Sequence, residues 1–108
     1  MAVDAVFGAL ADPTRRHLLT LLGRHGELSA TDLARELPVT RQAVQKHLGA
    51  LADAQLVASR RDGRQVLFHP TPAPMSDAME WMAEVGSQWD DRLAALERQL
   101  AQGRAARS

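Results

Sequence analysis

Arg41, Gln42, Gln45 and Lys46 lie within one short stretch, Val39 to Leu51, whose apolar residues Val44, Leu48 and Leu51 recur at helical spacing. Their types suit the recognition of nucleic-acid edges and phosphates. A glutamine amide offers a donor beside an acceptor, which matches the N6 and N7 edge of adenine. Arginine reaches guanine or phosphate, and lysine and the Thr40 hydroxyl suit phosphate oxygens. Taking Val44 as the centre of the buried side, 100° per residue places Gln42 and Lys46 opposite it and Gln45 at the flank. Arg41 falls nearer the core edge, in the first turn. Farther along, Arg60, Arg61 and Arg64 surround the dipeptide Asp62-Gly63 and supply further cations for a phosphate backbone.

Charge is unevenly distributed along the 108 residues, although 13 basic and 13 acidic side chains cancel overall. Residues 39–69 carry Arg41, Lys46, Arg60, Arg61 and Arg64 against Asp53 and Asp62, a net +3. The segments on either side are net acidic. The balance argues against a polybasic wrapper or membrane tail and for one localised basic patch.

The elements that must position these residues follow from local signals. Val3 to Leu10 reads as a short helix with Val6, Phe7 and Leu10 on one side. Asp12 and Pro13 form an N-cap and first helical position, Leu18, Leu19, Leu21 and Leu22 supply an apolar side, and Gly23 with Gly26 closes that helix. Ser29 and Asp32 form a capping-box variant ahead of a helix burying Leu33 and Leu37, which Pro38 stops. Thr40 caps the next helix, expected to run to about Ala54. Two helices joined so closely form a helix-turn-helix pattern. Strands are expected at Leu56 to Arg60 and Arg64 to His69, joined by a type I′ turn at Asp62-Gly63.

Pro70, Pro72 and Pro74 break the sheet and precede a long helix, expected over 75–102, with 103–108 as a flexible tail. Met75, Met79, Met82, Val85, Trp89, Leu93, Leu96 and Leu100 step by three or four along it. A rod of roughly 40 Å is more than so small a domain can cover, so a second copy of the chain is the expected cover. The expected interface comprises Val6, Phe7, Met79, Met82, Trp89, Leu93 and Leu96.

In this order the segments ALADPTRRHLLTLL, TDLARELPVTRQAVQKHLGAL and AQLVASRRDGRQVLFHP, with the tryptophan-bearing last helix, resemble the ArsR-type winged helix-turn-helix repressors. The resemblance implies a mainly α fold with a small β-hairpin wing, dimeric through its terminal helices, with residues 1–102 forming one DNA-binding domain. It further implies a sequence-specific homodimeric repressor occupying double-stranded promoter DNA, and, as in a cysteine-free subgroup, an autorepressor. Thr40, Arg41, Gln42, Gln45, Lys46, Arg60, Arg61 and Arg64 would meet the DNA. His47 stands where the family carries histidine, at the margin of the buried side, where a structural hydrogen bond is expected. Gln45 replaces the small serine common there. A protein-interaction module, with the long helix gripping a different partner, is the alternative reading.

No cysteine is present, which excludes disulfides and thiolate metal sites. The helix Asp32 to Leu37 lacks the cysteine motif through which many family members bind metal. Asp77, Glu80 and Glu84 share a helix face without a histidine, and read as a solvated surface. There is no phosphate loop or nucleophile elbow, and His17, His25, His47 and His69 are scattered, so neither catalysis nor a cofactor is expected. Trp81, eight residues before Trp89, flanks the apolar stripe and is a candidate lining for a small-molecule effector pocket. Neither a signal peptide nor a membrane span is readable, which makes the cytoplasm the expected location.

Overall fold

The computed structural model describes residues 2–107. The element order is α1 (Ala2–Leu10), α2 (Pro13–His25), β1 (Leu28–Ser29), α3 (Ala30–Glu36), α4 (Arg41–Asp53), β2 (Val57–Asp62), β3 (Gln65–Pro70) and α5 (Pro72–Arg107). The chain divides into two compact units, one ending at Ala78 and one beginning at Met79.

In the first unit every helix start follows its side-chain chemistry. The Asp12 carboxylate accepts the N–H groups of Thr14 and Arg15 at 2.8 and 3.2 Å, with Pro13 in the first turn. Ser29 and Asp32 complete a reciprocal capping box at 3.1 and 3.2 Å. Thr40 accepts the Ala43 N–H at 3.1 Å and starts α4. Each cap satisfies donors that the first helical turn leaves orphaned. The carbonyls at the end of α1 are met by α2: Arg15 donates to Ala9 and Gly8, and Arg16 to Leu10.

Leu18, Leu22, Leu33, Leu48, Leu51, Leu56, Val6 and Val44 are the largest fully buried side chains, so the core joins α1 through α4 to the root of β2. Val6 was expected at a contact between chains. It has none of its surface exposed and is covered by the chain's own core, so it offers nothing to a partner. Phe7 packs half-buried against that core.

The exit from α4 is a Schellman turn. Leu56 donates to the Leu51 carbonyl and Gln55 to that of Ala52, both at 2.9 Å, while Gln55 takes φ 60°. Thr71 donates its N–H to Leu56 at 2.9 Å and its hydroxyl to the Gln55 carbonyl, which fastens the end of the hairpin beside the end of α4.

The sheet has three antiparallel strands in the order β1-β3-β2. Asp62 pairs with Gln65, so the turn residues are Gly63 and Arg64, one position later than the sequence suggests. Only Gly63 has positive φ, at 63°, the pattern of a type II′ turn rather than type I′. Helix α5 also departs from expectation at both ends. It begins at Pro72 because prolines in a first turn sacrifice only N–H groups that have no helical partner. It continues to Arg107, through the segment expected as a tail, because Ala and Arg are strong helix formers; Ser108 lies outside the described residues.

The second unit is the remainder of α5. Met79, Met82, Trp89, Leu93, Leu96 and Leu100 are between 45% and 67% exposed, an amount of apolar surface that a soluble helix does not ordinarily leave open.

Candidate nucleic-acid interface

Burial sorts the faces of α4 as its periodicity requires. Val44, Leu48 and Leu51 are buried, while Thr40, Arg41, Gln42, Gln45 and Lys46 are exposed. Because the Thr40 hydroxyl accepts the Ala43 N–H, it is the cap that holds the first turn and its Arg41 and Gln42 in place.

A cleft of about 350 Å³ opens between this helix and its neighbours. Arg41 and Gln45 contribute from α4, Thr31, Asp32 and Arg35 from α3, and Arg64, Gln65, Val66 and Phe68 from the wing. Three arginines against one aspartate make it a site for anionic groups, with amides from Gln45 and Gln65 available for hydrogen bonding. Asp32 is partly occupied as the capping-box acceptor and lies 3.6 Å from Arg35.

Arg35, Thr31 and Gln65 belong to this cleft although sequence reasoning did not select them. Only Arg35 carried a signal, as a cation on the first helix of the helix-turn-helix, the element that crosses the backbone in such motifs.

Strand register divides the wing's arginines. Arg61 pairs with Val66, and Arg60 with Leu67. Successive side chains alternate between faces, so Arg61 shares the face of Val66 and Phe68, the face that lines the cleft, while Arg60 lies on the other. Arg60 was expected on a phosphate. Instead its Nε and Nη2 donate to both carboxylate oxygens of Glu27, each at 2.7 Å, so it is committed within the chain. The expected hydrogen bond of His47 is also not found among the described residues; the half-buried ring sits within electrostatic reach of Asp12.

Three carboxyls are held below their ordinary pKa. The Arg15 and Thr14 N–H groups do this to Asp12, the Arg60 guanidinium to Glu27, and the Ser29 N–H and hydroxyl to Asp32. The Arg60 pKa is raised in return by Glu27. A carboxyl whose folded pKa lies below its unfolded value stabilises the fold fully above the unfolded value, and ceases to do so as pH falls through the folded one. Thermal stability is therefore expected to lose these contributions only below about pH 4, where unfolded carboxyls protonate. Asp32→Asn should show a shallower acid loss than the parent chain between pH 5 and 2, read by circular dichroism. Superimposable profiles would remove Asp32 from this account.

No group of three or more His, Asp or Glu side chains is placed to hold a metal ion among the described residues. No helix of the described chain is long and apolar enough to cross a membrane.

A helix-turn-helix domain family matches residues 10–60. The transcriptional repressor SdpR of Bacillus subtilis is 30% identical over 91 residues, which are 84% of this chain and all of that protein. An arsenic resistance transcriptional regulator of Pseudomonas putida is 32% identical across 78% of this chain and 68% of its own length. Among solved structures, an ArsR-like transcriptional regulator from Rhodococcus superposes with a TM-score of 0.77 at 41% identity, covering 90% of this chain and 91% of that one. The chain belongs to the ArsR family of winged helix-turn-helix transcriptional regulators. It is a DNA-binding regulator and not an enzyme. In this ArsR-family chain α3 and α4 are the helix-turn-helix, α4 is its second, recognition helix, and β2 with β3 is the wing.

Proposed function

We propose that this regulator is a homodimeric repressor that occupies promoter DNA, including its own promoter, and works in the cytoplasm where that DNA lies. The observation that carries the DNA-contact assignment is the cleft that places Arg41 and Gln45 of the recognition helix beside Arg64 of the wing. Helix α4 enters the major groove with Gln42 and Gln45 against base edges and Arg41 on guanine or phosphate. Thr40, Lys46, Arg61 and Arg64 contact the backbone. Arg60 is withdrawn from that set by its bond to Glu27.

A second copy covers the exposed stripe of α5, and two-fold symmetry presents two recognition helices to half-sites about 10 to 10.5 base pairs apart. Repression follows from occupancy, since a dimer seated on a promoter excludes whatever else must bind there.

Purified protein should bind a duplex of its own upstream region at two salt concentrations and in the presence of random competitor. Competitor that abolishes binding would defeat the operator assignment. On that duplex, Arg61→Ala and Arg64→Ala should each reduce the slope of log affinity against log salt by about one unit, the value expected for one lost phosphate contact. An unchanged slope in both would take the wing off the DNA.

A further inference from the structure

The Glu27 carboxylate sits where an acidic group is least expected in a DNA-binding module, yet it makes the best-formed side-chain contact of the wing. It lies one residue before β1, whose Leu28 pairs with Phe68 on β3. Arg60 stands on β2, the opposite edge of the β1-β3-β2 sheet. The fork between them therefore spans the central strand. His69 of that strand approaches the same carboxylate, its Nδ1 3.5 Å from Glu27 Oε2, without forming a hydrogen bond.

The wing has little else to hold its outer half. Strand β1 contributes only two residue pairs. On β2, Val57 is buried and Ala58 partly so, whereas Ser59 to Asp62 are all exposed. The last apolar anchor thus lies three residues before Arg60, and Arg61, Gly63 and Arg64 extend beyond it. A bidentate guanidinium–carboxylate pair fixes direction as well as distance, which a single-point contact does not. Arg60 is half-exposed, so the pair adds little to global stability; its consequence is where the turn sits.

We propose that Glu27 is a positioning residue for DNA binding: through Arg60 it sets the wing so that Arg61 and Arg64 meet the backbone while α4 occupies the groove. The inference rests on the DNA-contact assignment above. It has an unusual sign. Judged by charge alone, removing Glu27 should tighten binding to a polyanion, because a repelling carboxylate disappears and Arg60 is released. Positioning requires the opposite on the specific site.

Glu27→Ala, Arg60→Ala and the double variant separate these accounts when titrated, as full-length protein, on the operator duplex and on a random duplex, with melting temperature followed in parallel. Each single change is expected to weaken operator binding on the order of three- to tenfold, with no loss on random DNA, and the double should be no worse than either single. A charge-reversed pair, Glu27→Arg with Arg60→Glu, should recover much of the lost preference, which a general packing defect would not. Opposite signs for the two singles, tighter for Glu27→Ala and looser on both duplexes for Arg60→Ala, would overturn the proposal and return Arg60 to the phosphate contacts. A parent protein that does not distinguish operator from random DNA would instead defeat the DNA-contact assignment on which the inference stands.

Discussion

Leu93→Glu combined with Leu96→Glu is expected to convert a dimer into a folded monomer and to reduce operator affinity by about two to four orders of magnitude. The fold should survive because both side chains are about half-exposed and neither belongs to the core, which is assembled from α1 to α4 and the start of β2. The interface should not. A two-fold axis places each substitution in the contact twice, so four carboxylates would enter an apolar seam without partners, an arrangement that costs far more than the lost leucine contacts. The fall in affinity comes from arithmetic rather than from altered DNA contacts. Two linked recognition helices bind the second half-site at the effective concentration set by the first, and a monomer forfeits that gain. Light scattering and an operator titration read both consequences. A double variant that still has twice the chain mass, or that binds as tightly as the parent, would exclude the α5 stripe as the interface and favour a contact with a different protein along it.

Most of the site could be read from the chain because its positioning is local. Asp12 with Pro13, Ser29 with Asp32, and Thr40 each act on N–H groups within three residues, so their caps follow from sequence order alone. The exposed side of α4 follows from its period for the same reason. Longer-range features were not legible. The fork from Arg60 to Glu27 joins residues 33 apart, and nothing near either one announces the other. Strand β1 is two residues long and exists only because β3 passes beside it. Val6 carries an apolar side chain at helical spacing whether a neighbouring helix of its own chain or another chain covers it, and periodicity cannot distinguish the two. Gln55 occupies a left-handed position that sequence would assign to glycine; the two Schellman bonds and the burial of Leu51 and Leu56 hold it there. The hairpin shift has a related cause. Asp-Gly signals a I′ turn with glycine second, but the register places Gly63 first, where type II′ requires it.

Gln45→Ala should change which DNA is chosen more than how tightly DNA in general is held. Gln45 lies at the meeting of the exposed face of α4 and the cleft, beside Arg41 and facing the wing. An alanine there leaves the Thr40 cap, the buried leucines and every cation in place, so the electrostatic share of binding is untouched. What disappears is an amide able to pair with the N6 and N7 of one adenine, about 1 to 3 kcal/mol of discrimination at one base pair. Operator affinity should fall by that amount, roughly fivefold to 150-fold, while affinity for random DNA and the salt slope stay constant. The specificity ratio is the informative quantity. A variant panel of operators, each altered at one base pair, should locate the change: one position becomes indifferent and the others keep their penalties. If every operator variant weakens by the same factor, Gln45 is contacting the backbone, and Gln42 alone remains on the bases.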